Sequence, residues 1–139
     1  MLKIKQQRVL AYVIMPNHEH VILYFPEKVY NLNKIMANAN RFMAYEIIER
    51  LKKLKRNDLL ELFYGYVTVR EKKKGQIHKV FEESFDAKGI SSEKFLFQKL
   101  NYIHRNPVSG KWKLVKDYTE YEHSSASFSV PSGSPNNHQ

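Results

Sequence analysis

The chain has no cysteine among its 139 residues. That excludes a disulfide framework and thiolate zinc sites, and it fits a reducing interior. It also lacks any apolar run near the roughly 20 residues that span a bilayer. The opening MLKIKQQRVLAY has no signal-peptide layout. The expected setting is therefore the cytoplasm, with no membrane partner. Acidic side chains are in short supply: 14 Asp and Glu stand against 23 Lys and Arg, for a formal charge of +9. Such an excess favours a polyanionic partner such as nucleic acid. No internal repeat is present, and the length suits one domain with a real hydrophobic core.

Two short runs rich in Val, Ile, Tyr and Phe, QRVLAYVIM and HEHVILYF, are separated only by Pro16 and Asn17. They predict a tight antiparallel pair of strands. From Asn31 to about Arg56 the apolar residues, among them Leu32, Ile35, Met36, Phe42, Met43, Ile47 and Leu51, fall at helical spacing with one buried stripe. The stretch DLLELFYGYVTVREKKKGQ is ambiguous, since Leu59 to Phe63 extend a helical pattern while YVTV prefers strand. QIHKVFEESF alternates and is read as a third strand. Ser91 or Ser92 offers an N-cap for a second helix carrying KFLFQKLNYIHRN, with a stop at Pro107. After about Ser124 the chain turns to Ser, Pro, Gly and Asn. The domain is expected over residues 1–128, followed by a disordered polar tail over 129–139.

The chemistry lies in YVIMPNHEHVILYF, where His18 and His20 interrupt an apolar run. Burying an unpartnered polar group costs about 1–3 kcal/mol, so these histidines belong at an open face or on a bound group. Side chains alternate along a strand, so His18 and His20 share a face and Glu19 points away. Two imidazoles so placed can meet one metal ion, which then needs a further ligand. Read alone, the pair is better taken as half-exposed strand histidines bonded to backbone or water. A second motif, NYIHRNPVSGKWKLV, sets Tyr102 four residues before Asn106, on one helix face if the helix persists that far. A tyrosine is a weak nucleophile unless its proton is removed or its oxygen is set beside a polarised phosphorus. A metal on His18 and His20, with the Asn106 amide as third ligand, suits that task. The plainer alternative has Tyr102 packing on the sheet and Asn106-Pro107 ending the helix.

Arg105 follows Tyr102 by three residues and can grip a phosphate or simply sit exposed at a helix end. Arg70, Lys72, Lys73 and Lys74, like the cluster Lys52, Lys53, Lys55 and Arg56, can follow a phosphate backbone or form a solvated face. Tyr64, Tyr66 and Trp112 can stack on unpaired bases or pack in the core. His104 and His123 lack a paired partner at ligand spacing and read as structural or surface residues. A histidine-triad hydrolase is disfavoured because the next alternate position after His20 is Ile22.

Taken in order, YVIMPNHEHVIL and YIHRNPV, with KVFEESF before the second helix and DYTEYEHSSA after it, resemble the REP-associated tyrosine transposases. These are relatives of the single-tyrosine HUH transposases, and the resemblance covers roughly residues 8–128. It implies an α+β fold with an antiparallel sheet flanked by helices, HUH-transposase-like and ferredoxin-like. It implies metal-dependent nicking and joining of hairpin-flanked, single-stranded DNA through a 5′-phosphotyrosine. By position, Tyr102 is the implied nucleophile, His18 and His20 hold Mg²⁺ or Mn²⁺, and Asn106 is the third ligand. Three departures stand out: Glu19 replaces a usually apolar middle residue, after SASFSV the chain turns abruptly into a polar tail, and the strand and helix that open the family's domain are expected to be missing. An open sheet edge then results, and a homodimer is expected to close it, with Tyr102 serving its own histidine pair or its neighbour's. The alternative function is a catalytically impaired, nucleic-acid-binding remnant of such an enzyme.

Overall fold

The computed structural model describes residues 7–28, 31–82 and 85–128. In chain order the regular elements are strands β1 (Arg8–Ile14) and β2 (Glu19–Tyr24), then helices α1 (Leu32–Lys53), α2 (Asn57–Gly65), α3 (Val69–Lys73) and α4 (Glu93–Arg105), with short 3-10 turns after α4. The fold is α+β with a two-stranded antiparallel sheet. Among the described residues no helix is long and apolar enough to cross a membrane. The chain divides into two compact units, residues 1–28 with 88–139, and residues 29–87.

In the first unit, β1 and β2 form the expected hairpin, closed at the turn by a hydrogen bond from the Met15 N–H to the His18 carbonyl at 2.8 Å. The register pairs Ile14 with Glu19, Val13 with His20 and Ala11 with Ile22, and Leu10 bulges between the pairs at Val9 and Ala11. Period-two alternation puts Ala11, Val13 and Met15 on one face with Ile22, and all four are buried. α4 covers that face. Ser92 caps it by accepting from the Phe95 N–H at 3.1 Å, and Glu93 in the first turn with His104 and Arg105 in the last suit the helix dipole. Ile103 joins the strand residues in the core, with Leu96, Leu100, Trp112 and Tyr121 packed around it.

The outer edge of β1 is partly closed by the chain's own later residues. Val13 bridges to Ser124, and the Ile14 N–H donates to the His123 carbonyl at 2.8 Å. The Tyr121 hydroxyl donates to the Ile14 carbonyl at 2.7 Å. The Ser125 hydroxyl accepts from the Tyr12 N–H at 2.9 Å and lies 2.9 Å from His104 Nε2. Ser124, the start of what reads as polar tail, is therefore fully buried. Small hydroxyl side chains reach backbone groups that a longer side chain would miss. The tail expected over 129–139 lies outside the described residues.

The second unit is helical. Asn31 caps α1 by accepting from the Lys34 N–H at 3.0 Å. α1 ends in paired backbone bonds, Arg56 N–H to the Leu51 carbonyl and Lys55 N–H to the Lys52 carbonyl, with Lys55 at φ 54°. The α1 stripe is less buried than its periodicity suggests: only Ile48 is buried, and Phe42 is 64% exposed. The strand-like YVTV instead starts α3 through a reciprocal cap, with Thr68 Oγ1 accepting from the Glu71 N–H and Glu71 Oε2 accepting from the Thr68 N–H. The third strand expected over 76–85 is absent among the described residues of that stretch. Its backbone instead bonds to helical carbonyls: the Gln76 N–H donates to Glu71 and the Lys79 N–H to Phe63. With those donors engaged and no neighbouring strand, the alternating pattern has no ladder to join. Lys79 Nζ meets Glu71 Oε1 at 3.0 Å, with both side chains largely shielded from solvent.

Candidate functional site

The site lies within the first unit, where the hairpin turn meets the last turns of α4. His18 and His20 share parity with buried Ile22, so both rings lie on the α4 face of the hairpin. Their ring centroids are 5.0 Å apart and nearly perpendicular. The Tyr102 ring sits 5.5 Å from His20, also edge to face. Histidine pair and tyrosine therefore meet within a single chain. Tyr102 is 58% exposed, and its hydroxyl makes no hydrogen bond to the described residues, leaving the oxygen open to a ligand. Glu19 is exposed on the opposite side of the strand, which answers how a carboxylate is tolerated at that position.

Asn106 continues the path of α4 with helical backbone angles and begins a 3-10 turn with buried Pro107 at its next position. It is only 8% exposed. Its side chain has no hydrogen bond to the described residues, yet it lines an open groove of about 520 Å³ together with His18, Tyr102 and Arg105. Its amide atoms keep contact with solvent through the groove, where a ligand can meet them; the buried side-chain polar atom left without a partner among the described residues is Asn40 Oδ1, in the second unit. Tyr102 and Asn106, four residues apart, both line this groove.

Electrostatics favour neutral imidazole here. Burial lowers the His20 pKa below its ordinary 6.5, and the neighbouring charges of His18 and then Lys99 lower it further. The neutral ring is the metal-ligating form. His18 Nδ1 lies 2.7 Å from Asn17 Oδ1, which leaves Nε2 for a ligand. Two imidazoles and one amide oxygen fit a borderline divalent ion such as Mn²⁺ better than Mg²⁺. Among the described residues no group of three His, Cys, Asp or Glu that could hold a metal ion is assembled.

Arg105 lines the same groove, and its guanidinium lies 5.7 Å from the Tyr118 ring. Arg70, Lys72, Lys73 and Lys74 belong to the second unit, on and just after α3, and all four are exposed. Lys72 Nζ lies 4.6 Å from the Tyr64 ring. His104 is structural as expected: burial lowers its pKa and its Nε2 meets Ser125. Sequence reading gave no role to Lys99, whose Nζ lies 5.6 Å from the Tyr102 ring; its place three residues before the tyrosine was the available signal. Trp112 was weighed for stacking, but only the fold brings its ring within 6.1 Å of His18. The chain matches no protein-family model, no curated protein and no solved structure.

Proposed function

We propose that the chain cuts and rejoins single-stranded DNA through Tyr102, in the manner of the REP-associated tyrosine transposases that its motifs resemble, on an HUH-type, ferredoxin-like domain. One observation carries this reading: the rings of His18, His20 and Tyr102 stand in a row, at 5.0 Å and 5.5 Å. That arrangement unites two motifs distant in sequence. In the reaction, the Tyr102 oxygen attacks the scissile phosphorus as the bond to the 3′ oxygen breaks. The phenolic proton passes to solvent, and the departing oxygen takes a proton from solvent. A covalent 5′-phosphotyrosine and a free 3′-hydroxyl result, so the phosphodiester energy is kept for rejoining. His18, His20 and Asn106 would hold Mn²⁺ or Mg²⁺, which when bound supplies Lewis-acid polarisation of the phosphate. Arg105 adds positive charge beside the nucleophile, and the exposed Arg70, Lys72, Lys73 and Lys74 offer phosphate contacts. The uncovered start of β1, with Val9 60% and Leu10 46% exposed, supports pairing with a second copy.

The test is incubation with labelled hairpin-flanked single-stranded DNA and Mn²⁺. Wild type should give a denaturant-resistant protein–DNA adduct, and Tyr102→Phe should give none. Equal products from the two proteins would show that another residue is the nucleophile. A second reading, a DNA-binding remnant without catalysis, is favoured by the lack of a carboxylate ligand among the described residues around His18 and His20. Salt-sensitive binding of wild type with no adduct would select it.

A further inference from the structure

We infer that the groove beside Tyr102 reads one unpaired nucleobase, stacked on Trp112 and held at its edge by the carboxamides of Gln98 and Asn101. This rests on the reading of the domain as a single-strand DNA enzyme and names what lies next to the scissile phosphate. Gln98, Asn101, Tyr102 and Arg105 fall at i, i+3, i+4 and i+7 of α4, so one stripe of the helix faces the groove. The opposite stripe, Leu96, Leu100 and Ile103, is committed to the core. Trp112 reaches the far wall because the chain reverses after the helix. Gly110 takes φ +59°, a conformation that suits glycine, and the Trp112 N–H donates to the Ser109 carbonyl at 3.1 Å. The indole packs against the core yet lines the groove, which makes it a rigid aromatic wall.

The lining chemistry is selective. It offers three carboxamides, a guanidinium, an imidazole and an indole, and no carboxylate. None of the three carboxamides is bonded to the described residues, so their donors and acceptors are free to meet a ligand. A volume of about 520 Å³ falls in the range of sites that take small organic groups. Aromatic faces stack on unpaired bases, and carboxamides match base edges, adenine above all. A phosphate-only site would need cations, and a metal-only site would need neither the indole nor Gln98 and Asn101.

Trp112 is the sole tryptophan, so its emission reports on this groove alone. Tyr102→Phe protein is titrated with hairpin-flanked single-stranded DNA in which each unpaired position is made abasic in turn. The expected result is saturable quenching that one abasic position removes, with binding weakened about tenfold, the scale of one lost stack. Adenine is expected to bind best at that position. Gln98→Ala with Asn101→Ala, both on the exposed helix face, should keep the quenching and level that preference. Quenching that is absent, or indifferent to every abasic position, overturns the inference, and so does a base preference unchanged in the double variant. Wild-type adduct formation is measured on the same DNA. Adduct without position-dependent quenching removes the base pocket and leaves the cutting reaction; the reverse removes the cutting reaction and leaves the pocket.

Discussion

The two units differ in where polar side chains are matched within the chain and where they are left open to solvent. In the second, charges are matched locally: Glu71 takes the Thr68 N–H and Lys79, Arg50 meets Glu46, Lys52 meets Glu49, and Arg56 meets Asp58. In the first, Asn106, Gln98, Asn101 and the Tyr102 hydroxyl line or border one groove with no bond to the described residues. A polar group that the fold satisfies is explained by stability. Gln98, Asn101 and Tyr102 are exposed and unbonded, open to a ligand in the groove, whereas the buried polar atom without a partner among the described residues, Asn40 Oδ1, lies in the second unit. On the proposed reading, the contrast sets residues matched within the fold apart from residues offered to a ligand.

The sharpest test of that contrast is a deletion on the unsatisfied side. Asn106→Ala removes no protein hydrogen bond, so the melting temperature should hold, while Mn²⁺-dependent adduct formation should fall by at least about tenfold, as for lost metal-site groups. A variant that melts early would mean that Asn106 is structural and the groove is not a site. The converse deletion is Glu71→Gln. The Thr68 N–H, followed by Lys79, holds the Glu71 carboxyl at a pKa of about 2, against an ordinary 4.5. The unfolded chain therefore binds more protons between those values, and the stabilisation is full above about 4.5 and is lost as pH falls toward 2. Glu71→Gln should lower the melting temperature at neutral pH and lose that difference in acid, as thermal scans across pH would show. An equal deficit at all pH values would assign the loss to packing rather than charge.

Smaller effects are expected where the second unit leaves charge exposed. Replacing Lys72, Lys73 and Lys74 with Gln should leave folding intact and flatten the salt dependence of single-stranded DNA binding by about 2 in log–log slope, at roughly 0.7 per phosphate contact. An unchanged slope would remove these lysines from the DNA path. The smallest expected change is a gain. Lys55 ends α1 at φ 54°, a conformation that costs an L-residue about 1 kcal/mol and glycine almost nothing. Lys55→Gly should stabilise the chain by roughly that amount in urea unfolding, with no change in adduct yield.

Much of this was written locally. Strand alternation in RVLAYVI and EHVILY, the apolar stripe of α4 and the cap at Ser92 are signals that act over a few residues, and each produced its element. So did the shared face of His18 and His20, and the closeness of Tyr102 to Asn106. What local pattern could not decide were partnerships at long range. The alternation in 76–85 had no strand to pair with, and YVTV lost its strand preference to the reciprocal bonds of Thr68 and Glu71. The serines after Tyr121 looked like the start of a polar tail, yet Ser125 closes the edge of β1 at Tyr12, 113 residues away in sequence. Nothing in the spacing of His18 and Trp112 placed an indole at the groove. Periodicity and capping are set by neighbours along the chain, so the sequence alone determined the hairpin, α1, α4 and the pairs of site residues within them. Edge closure and the meeting of Tyr102 with His20 depend on which surfaces bury each other, and only the tertiary structure decided those.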